Sequence, residues 1–550
     1  MSSKVDLTIE AIGALSKYQW IVILITGFNS FIAAPHFLVI VFHSRTPDFR
    51  CSLPDWPEDT YQVINEHHNE SIHQWIPMKD GELDSCHIYT SNHTNQTREC
   101  TQYVFDRPKG EGNSLNMEFE MVCSSAIFAT TTKVVFTIGL VVGAGLTGII
   151  ADRIGRKPTL IATLLLAGAT SLASTFSVNV IMFAALRFAI GAGFVGVLLL
   201  NNVIAMEVVG PSHRIYALAT RSLFWPVGTM LTSLVAYYVR DWNWFQLASS
   251  IPAFVCASAV LLFLDETPHY LMSKGKHEDL TKLFQKMAKR NGRELPRELV
   301  KALKEDEQAA LSERFLDILK APVLLKRFLV FLYLWLIAGM GFYGLNFNVA
   351  NLTGDVYTNN IISGAAEIPA SALVFTTQKI GRKSLCIGSL LFGSLALISS
   401  AVMIVYLDME LEANSAAQIA VSMLGKFSIS IVFSLDYFWS SEVFPSTLRT
   451  TMVGFCSLAA RVGTILSPII ADLYQQVVTI FGVGLGPFIF GISMLIGGLL
   501  AFYLPETSQQ RVPETIKEAN VFRTTAGENS GKDSQAESDL EAKGDHLTQL

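Results

Sequence analysis

Charged residues are scarce in this chain. Only 16% of its 550 residues are Asp, Glu, Lys or Arg, whereas half of all residues are hydrophobic. A soluble chain carries about a quarter charged residues. The scarcity therefore excludes an ordinary soluble protein and indicates an integral membrane protein. The formal net charge of −6 gives no reason to expect a nucleic-acid partner.

The motifs of soluble enzymes are missing as well. The sequence contains no nucleotide-binding loop, no cluster of metal ligands and no nucleophile–base constellation. Gly191-Ala-Gly193 and Gly484-Leu-Gly486 lie inside apolar runs, where small residues permit close helix packing. We therefore expect no enzymatic activity and no cofactor, with sodium or proton coupling left open. Segment 1–19 lacks a cleavable signal pattern, so the apolar run after it is expected to remain as a membrane span.

Long apolar runs dominate the rest of the sequence. Each is close to the roughly 20 residues that a helix needs to cross about 30 Å of hydrocarbon. Continuous apolar runs favour helices over the alternating strands of a barrel. Twelve runs occur, at about 20–42, 126–150, 158–176, 179–200, 215–239, 243–264, 327–348, 357–378, 384–407, 416–440, 450–472 and 480–504. The sequence thus predicts an all-α membrane protein with twelve transmembrane helices.

Polar residues are concentrated between and beyond these runs. The stretch 265–326 is rich in Lys and Arg, and basic loops face the cytoplasm. We therefore place the N-terminus (1–19), a helical linker (265–326) and a disordered tail (505–550) in the cytoplasm. The remaining polar stretch, 43–125, then lies outside the cell.

The stretch 43–125 has the composition of an extracellular loop. Four cysteines and three Asn-X-Ser/Thr sequons lie in it: Cys51, Cys86, Cys100, Cys123, Asn69, Asn92 and Asn95. Disulfides persist in oxidising compartments, and sequons are glycosylated on exposed loops. We expect two disulfides, whose pairing the sequence leaves open, and glycosylation at the three asparagines.

Three polar motifs occur twice, at offsets of about 226 to 240 residues. The pairs are Asp152-Arg-Ile-Gly-Arg-Lys157 with Gln378-Lys-Ile-Gly-Arg-Lys383, Glu207-Val-Val-Gly-Pro-Ser-His-Arg214 with Glu442-Val-Phe-Pro-Ser-Thr-Leu-Arg449, and Asp265-Glu-Thr-Pro268 with Pro505-Glu-Thr507. Repetition in the same order indicates two pseudo-symmetric six-helix halves, at 20–264 and 327–504, in the same orientation.

These motifs resemble the major facilitator superfamily and, within it, the family of organic cation, organic anion and carnitine transporters. The Asp152–Lys157 turn, the Glu442–Arg449 element and the cysteine-bearing loop carry the resemblance, which extends over residues 6–515. Asn351-Leu-Thr-Gly-Asp355 with Glu367-Ile-Pro369 is similar to the carnitine-transporting branch. The resemblance implies alternating access, one central cavity between the halves and no chemical step.

Arg461 and Glu367 lie deep in predicted spans, where a charged residue costs about 2.5–3.5 kcal/mol or more. Arg461 lies near the middle of the eleventh span. In the resembled family this position is Arg in anion and carnitine carriers and Asp in cation carriers, which implies a substrate contact. An arginine there would bind a carboxylate through paired hydrogen bonds; the alternative is a structural ion pair. Glu367, in the eighth span, would meet an ammonium group, relay a proton or neutralise Arg461.

Aromatic and polar residues complete the predicted substrate site. Phe224, Trp225, Phe342 and Tyr343 occupy positions where the resembled family lines its cavity, and electron-rich rings attract quaternary ammonium groups. The alternative for each ring is packing or lipid contact. Asn29, in the first span, either contacts the substrate or, more often for a buried amide, bridges two helices.

Charges at the cytoplasmic helix ends are predicted to form a gate. The repeated motifs would latch the inward gate while the carrier faces outward and would separate on inward opening; the alternative is a topology anchor. Because Gln378 replaces the acid found at Asp152, we expect the first half to carry more of the gate. Asp436 would act as a gate or form a structural pair. The predicted gating residues are Asp152, Arg153, Arg156, Lys157, Glu207, Arg214, Arg382, Lys383, Asp436, Glu442 and Arg449.

The combined prediction is a plasma-membrane carrier of small organic ions, embedded in the lipid bilayer with both termini cytoplasmic. The first choice of substrate is a carnitine-like or amino-acid-like zwitterion or another organic cation. Arg461 alone would suit an organic anion exchanger. A different class of protein, a non-transporting sensor or scaffold on the same fold, would bind ligand without flux. The intact gate motifs in both halves favour the carrier.

Overall fold

Most of the chain is helical in its computed structural model. The structure describes residues 4–54, 56–57, 59–79, 81–90, 96–107, 112–296, 298, 315–373, 376–407, 409, 411–445, 448–472, 482–508, 513 and 516–521. The predicted glycosylation sites Asn92 and Asn95, and most of the predicted tail, lie outside these residues.

The first half contains six membrane-length segments. Its helices, with those of the loop and the linker, are α1 (Lys4–Ala11), α2 (Lys17–Phe31), α3 (Ala33–His43), α4 (Glu66–Trp75), α5 (Leu115–Glu118), α6 (Ile127–Ile154), α7 (Arg156–Ser174), α8 (Val180–Val208), α9 (Arg214–Ser222), α10 (Phe224–Tyr238), α11 (Trp242–Phe263), α12 (Pro268–Ser273) and α13 (His277–Asn291). The first segment is α2 followed by α3, interrupted at Ile32, and the fifth is α9 followed by α10, interrupted at Leu223.

The second half repeats this order. Its helices are α14 (Pro322–Asn348), α15 (Val356–Leu373), α16 (Thr377–Ile380), α17 (Arg382–Tyr406), α18 (Glu412–Val443), α19 (Arg449–Ala471), α20 (Leu485–Ala501) and α21 (Ile516–Val521). The six membrane-length segments are α14, α15, α17, α18, α19 and α20. The twelve segments confirm the predicted fold class, and nine of them, among the described residues, are long and apolar enough by hydropathy to cross a bilayer.

The repeated turns require glycine. Gly155 joins α6 to α7 with a φ of 114°, and Gly381 joins α16 to α17 with a φ of 90°. Residues with a side chain rarely adopt such angles. A Cβ at Gly155 would also overlap the Glu266 carboxylate, and one at Gly381 would overlap that of Glu506. The glycines thus allow a half-buried acid to approach each turn closely.

The stretch between α3 and α6 folds into a small separate unit. Its strands are β1 (Phe49–Cys51), β2 (Met78–Lys79), β3 (Glu82–Leu83), β4 (His87–Tyr89), β5 (Thr97–Glu99) and β6 (Tyr103–Phe105), which form the antiparallel pairs β1–β6, β2–β3 and β4–β5. Disulfides join Cys51 to Cys100 and Cys86 to Cys123. Asn69 is exposed on α4, where a glycan is sterically possible.

The linker helix α13 packs against the first half. Its residues Leu280, Leu283, Phe284 and Met287 are buried in the same apolar cluster as Ile9 of α1. Their spacing of three and four residues places them on one helix face. We call the membrane end at this linker the linker side, and the end at the disulfide-bearing loop the loop side.

Candidate substrate site and gates

Glu367 forms a buried ion pair within the second half. Lys426 of α18 places its Nζ atom 2.9 Å from Oε1 of Glu367 on α15, with side-chain exposures of 2% and 5%. The same Nζ lies 3.8 Å from the centre of the Phe342 ring and donates to the Phe342 carbonyl oxygen over 3.2 Å. Glu367 is therefore neutralised by Lys426 and not by Arg461.

Arg461 is buried on α19, with 8% of its surface exposed. Its guanidinium interacts with the Tyr343 hydroxyl of α14. Its Nε atom has no hydrogen-bond partner, and no carboxylate among the described residues forms an ion pair with it. A permanent charge in this position retains donors for a carboxylate group. The alternative of a structural ion pair has no partner in the described part of the chain.

Aromatic rings from both halves surround these charges. Tyr343 lies 5.1 Å, centre to centre, from Phe37 of α3, and Phe37 lies 6.2 Å from Trp225 of α10. Phe342 stacks on Phe433 of α18 at 4.9 Å. Three of the four predicted rings, Trp225, Phe342 and Tyr343, thus meet at the inter-half interface.

Phe224 and Asn29 have other surroundings. Phe224 packs on α2 so closely that a Cβ at Gly27 would overlap its ring. Asn29 is buried and donates from Nδ2 to Oδ1 of Asn201 on α8 over 3.2 Å. In the structure, Phe224 therefore packs between helices, and Asn29 bridges α2 and α8. These contacts match the alternatives to substrate binding that were considered for the two residues.

The repeated motifs form a charge network in the first half. Arg156 pairs with Glu207 at 3.3 Å and with Asp152 at 3.1 Å, but Asp152 is 74% exposed. Glu207 also accepts a hydrogen bond from the Thr267 hydroxyl. Glu266 accepts from the backbone N–H of Arg156 over 3.0 Å. Burial raises the pKa of Glu266, and the backbone hydrogen bonds that it accepts act in the opposite direction.

The second half repeats this network almost atom for atom. Arg382 pairs with Glu442 at 2.9 Å. Glu442 accepts from the Thr507 hydroxyl over 2.5 Å, and Glu506 accepts from the backbone N–H groups of Arg382 and Lys383, both over 3.0 Å. The deeper contacts are equivalent in the two halves, although Gln378 replaces an acid in the second turn.

The remaining predicted gating residues contact their own half. Arg214 pairs with Asp6 at 2.6 Å, and Arg449 donates to the Phe444 carbonyl oxygen over 3.4 Å, so neither is the principal partner of the glutamate in its motif. Arg153 is exposed, and its carbonyl oxygen accepts from the Tyr270 hydroxyl. Lys157 and Lys383 each donate to a main-chain oxygen over 2.9 Å.

Comparison with known proteins identifies the family. Residues 82–518 match the family model described as "Sugar (and other) transporter". The chain is 31% identical to an organic cation transporter protein of Drosophila melanogaster, with 94% of each chain covered, and 29% identical to solute carrier family 22 member 13 of Homo sapiens, with 97% of this chain and 96% of the relative covered. This chain belongs to the organic cation, organic anion and carnitine transporters of the major facilitator superfamily. It is a membrane transporter and not an enzyme.

Solved structures agree with this organic-ion transporter in fold. The proton:xylose symporter XylE bound to 6-bromo-6-deoxy-D-glucose superposes with a TM-score of 0.60 at 16% identity, over 92% of this chain and 99% of that one. The inward open conformation of XylE from E. coli gives a TM-score of 0.58 at 18% identity, over 74% and 93%. At such identity the likeness concerns the fold alone.

Asp436 of the organic-ion transporter lies inside the second half. It is 1% exposed, and neither carboxylate oxygen has a hydrogen-bond partner among the described residues. Its neighbours on α18, Leu435 and Trp439, belong to the apolar cluster that also contains Cys386 and Cys456. The predicted structural pair for Asp436 is therefore absent from the described part of the chain, and its gating role stays a prediction.

The two halves are held together on the loop side. Asp472 at the end of α19 accepts from Thr130 over 2.8 Å and from Lys133 over 2.7 Å, both on α6. Asn360 of α15 donates to Ser233 of α10 over 2.7 Å. We call these five residues the loop-side clamp. On the linker side, the ion pairs described for the two repeated networks join elements of one half only.

Two charged residues of this region escaped the sequence prediction. Lys426 lies in the predicted span 416–440 and Arg221 in the predicted span 215–239. Arg221, on α9, donates to the Ser30 hydroxyl over 2.8 Å and to Oδ1 of Asn202. The rule that identified Arg461, namely that a charge deep in a span needs a reason, applies equally to both.

Proposed function

We propose that this transporter moves small organic ions that carry a carboxylate group, by alternating access across the plasma membrane. The observation that carries the proposal is the difference between Arg461 and Glu367. Glu367 has a cationic partner, Lys426, at 2.9 Å, whereas Arg461 has no anionic partner among the described residues. The unbalanced charge is positive and therefore favours a negatively charged group in the substrate.

Arginine suits this task chemically. Its guanidinium presents parallel N–H donors that match the two oxygens of a carboxylate, and it stays charged at every physiological pH. The Tyr343 hydroxyl, on the neighbouring helix α14 of the same half, interacts with Arg461. Hydrogen bonds to charged groups contribute about 1.5–3 kcal/mol each, so loss of Arg461 should lower carboxylate uptake about 10- to 100-fold.

A carnitine-like zwitterion is a second candidate. The rings of Tyr343 and Phe433 lie beside the charges and offer electron-rich surface for an ammonium group, whereas Phe342 already contacts the Lys426 ammonium and stacks on Phe433. The Drosophila relative is named as an organic cation transporter. In this case the carboxylate would bind to Arg461 and the ammonium would contact the rings.

We further propose that the loop side is extracellular and that the linker side is cytoplasmic. The two disulfides and the exposed sequon at Asn69 support an oxidising environment on the loop side. The basic linker supports the cytoplasmic assignment of the other side. In this proposed orientation, the closed loop-side clamp would shut the carrier towards the outside.

The test is uptake by cells that express the wild type or Arg461→Ala. The probes are labelled L-carnitine, glutarate and tetraethylammonium, and the control is Lys282→Ala, which removes a positive charge that is 73% exposed on α13. We expect Arg461→Ala to lose glutarate and carnitine uptake and Lys282→Ala to keep both. Retained carboxylate uptake in Arg461→Ala would contradict the proposal. Binding without counterflow in proteoliposomes would favour the sensor class.

A further inference from the structure

We propose that His269 is a pH-sensitive contact that docks the N-terminal helix α1 on the linker-side end of the first half. The charged histidine bridges α1 and the end of α8, and the neutral histidine cannot make both contacts. The inference goes beyond the proposed function, because it concerns the linker side and holds for any substrate. The ligand of the site is a proton, and the element that it controls is bound to the repeated motif Glu207–Arg214.

Both ring nitrogens of His269 face acceptors. Its Nδ1 atom lies 3.2 Å from the main-chain oxygen of Glu207 at the end of α8, and its Nε2 atom lies 3.3 Å from Oδ1 of Asp6 on α1. A carbonyl oxygen can only accept a hydrogen bond, so Nδ1 must donate. Neutral imidazole carries one N–H group, whereas imidazolium carries two. Only the charged ring can therefore donate at both contacts.

An arginine fixes Asp6 as an acceptor. Oδ1 of Asp6, the atom that faces His269, also accepts from Arg214 over 2.6 Å, and a guanidinium can only donate. The side chains of Asp6 and His269 are 12% and 28% exposed, so water screens their interaction only in part. Loss of the second proton from His269 would place a nitrogen lone pair against an oxygen lone pair at one of the two contacts.

Helix α1 lies on this surface with its apolar face inward. Val5 is 3% exposed and Ile9 is fully buried, and both belong to the apolar cluster that contains Leu280 of the linker helix α13. Leu7, on the opposite face of α1, is 49% exposed. The buried face makes docking measurable, because a side chain at Val5 meets solvent only when α1 leaves its place.

Docked α1 holds one of the repeated motifs of the first half. Asp6 binds Arg214, and Oε1 of Glu10 accepts from the Ser212 N–H over 3.0 Å and from the Ser212 hydroxyl over 2.7 Å. In the second half, Arg449 occupies the equivalent position and donates to a main-chain oxygen of its own half. The proton on His269 therefore sets how firmly the motif of the first half is tied to α1.

The direction of the pH effect follows from these contacts. Histidine is the side chain that ordinarily changes its charge between pH 5 and 8. Because the charged form makes both contacts, docking of α1 is firmest at low pH and weakens as the pH rises through this range. In the proposed orientation, the pH that matters is that of the cytoplasm.

Other titratable groups surround α12 and must be separated from His269. Two of them are histidines, His213 before α9 and His277 on α13. The remaining charged groups on the elements packed around α12 are Lys4 and Glu10 of α1, Glu207 of α8, Arg153 and Arg156 beside Tyr270, Arg214 of α9, Asp265, Glu266 and Lys274 next to α12, and Glu278, Asp279, Lys282 and Lys286 of α13. Substitution of the two histidines thus provides the matched controls.

The experiment measures docking by the reactivity of Val5→Cys in the purified full-length transporter. The rate of its reaction with a water-soluble maleimide reports the undocked fraction of α1. Leu7→Cys, on the exposed face of the same helix, corrects for the effect of pH on the thiol chemistry. The native cysteines are protected, because four form disulfides and the three free ones, Cys256, Cys386 and Cys456, are buried.

We expect the rate at Val5→Cys, relative to Leu7→Cys, to rise about three- to tenfold between about pH 6 and about pH 8. A tenfold change corresponds to about 1.4 kcal/mol. His269→Ala lacks both donors and should react fast at both pH values. His269→Arg keeps its charge and its donors at every pH and should react slowly at both. His213→Gln and His277→Gln should keep the response of the parent protein.

A relative rate at Val5→Cys that does not change with pH overturns the inference, and so does a full pH response in His269→Ala. Melting temperatures show whether each variant folds; if His269→Ala does not, a pH response retained in His269→Arg overturns the inference equally. Loss of the response in the His269 variants and its retention in both controls supports the switch. None of these outcomes involves a substrate, so failure of the carboxylate proposal leaves this test unaffected.

Discussion

At the scale of single residues, Glu367 and Lys426 form the most deeply buried ion pair in the described membrane spans. Two ions this far from water are tolerated only because each neutralises the other. Removing one partner leaves the other charge buried and uncompensated, which costs about 3–5 kcal/mol. Removing both charges avoids that penalty. The effects of the two single substitutions on the free energy of unfolding should therefore be strongly non-additive.

We expect Glu367→Gln and Lys426→Met each to lower the melting temperature of the purified transporter. The double variant Glu367→Gln/Lys426→Met should recover most of the loss. The measurement is thermal unfolding in detergent for the wild type and the three variants. A double variant that is no more stable than the less stable single variant would show that the two charges do not compensate each other.

A second residue-scale prediction concerns Asp59 in the loop. Its carboxylate accepts hydrogen bonds from Arg50 over 2.5 Å, from His68 over 2.9 Å and from the Leu53 N–H over 2.9 Å. Burial on its own raises the pKa of Asp59, but these hydrogen bonds outweigh it, so the pKa lies below its ordinary value. The folded loop therefore favours the ionised form, and the unfolded loop binds more protons.

The stability contributed by Asp59 is consequently complete above the ordinary Asp pKa of about 3.9 and is lost as the pH falls through the lower folded value. Asp59→Asn should destabilise the loop by about 1–3 kcal/mol at neutral pH. The difference from the wild type should shrink below about pH 4. The control, Asp48→Asn, removes an exposed acid of the same loop. Thermal unfolding of the intact protein over this pH range is the measurement, and a difference independent of pH would contradict the assignment.

The sequence located single charges better than pairs. Arg461 and Glu367 stand out because a charge inside an apolar run is expensive wherever it points. Lys426 and Arg221 carry the same signal. The pairing of Glu367 with Lys426, in contrast, depends on the relative rotation and depth of α15 and α18, which are separated by α16 and α17 in the chain. Periodicity fixes the face of one helix and not the neighbour that it meets.

At the scale of helices, glycines set the closest approach. A Cβ at Gly143 of α6 would overlap the backbone of Ala192 on α8, and one at Gly191 of α8 would overlap the Phe136 carbonyl oxygen of α6. Gly145, only two residues from Gly143, has open space around it. Small residues at such crossings let helix backbones approach closely in membranes.

We therefore expect opposite effects from two neighbouring Gly→Ala substitutions. Gly143→Ala forces α6 and α8 apart and should destabilise the transporter by about 1–3 kcal/mol. Gly145→Ala has no contact to disturb and should stabilise α6 slightly, by about 0.5–1 kcal/mol, because alanine is the better helix former. Melting temperatures of both variants measure the contrast. Equal effects would mean that the α6–α8 crossing is less tight than the structure describes.

Helix length was predicted from the sequence, whereas the two helix interruptions were missed although the sequence carries a signal for them. Hydrocarbon thickness fixes the number of residues per span, so the apolar runs locate twelve segments. The breaks at Ile32 and Leu223 each lie three residues before a proline, Pro35 and Pro226. A proline has no N–H for the carbonyl oxygen four residues earlier and its ring clashes with that group, so it disfavours a continuous helix at this point. The six short strands of the loop were also not predicted, because two or three paired residues leave no alternation to recognise.

At the scale of the whole molecule, the duplicated sequence yields duplicated contacts. Arg156 with Glu207 and Arg382 with Glu442 are equivalent pairs at equivalent helix ends. The sequence predicts this correspondence because the motif spacing is repeated. We expected the first half to carry more of the gate because it has an acid at Asp152 where the second half has Gln378. In the structure, however, the more buried acid in contact with Arg156 is Glu207. A contact across the halves on the linker side remains a prediction for another conformation.

The last prediction concerns the loop-side clamp. Asp472 of the second half is the shared acceptor of Thr130 and Lys133 of the first half, and it is 5% exposed at the side chain. Asp472→Asn removes the charge that holds Lys133 across the interface. Every 1.4 kcal/mol lost from the clamped state changes the ratio of conformations about tenfold. We therefore expect this variant to populate a state that is open on the loop side.

Spin labels at Tyr238→Cys and Leu411→Cys report the opening, since these exposed positions lie in different halves at loop-side ends of α10 and α18. Pulsed electron–electron double resonance between the two labels should show a longer distance component in Asp472→Asn than in the wild type. Asp355→Asn is the matched control, because Asp355 is exposed on the same side and its side chain accepts from Thr358 of its own half over 2.8 Å. Identical distance distributions in all three proteins would show that the clamp does not hold the halves together. A shift confined to Asp472→Asn would identify this single carboxylate as the contact that keeps the transporter closed on the loop side.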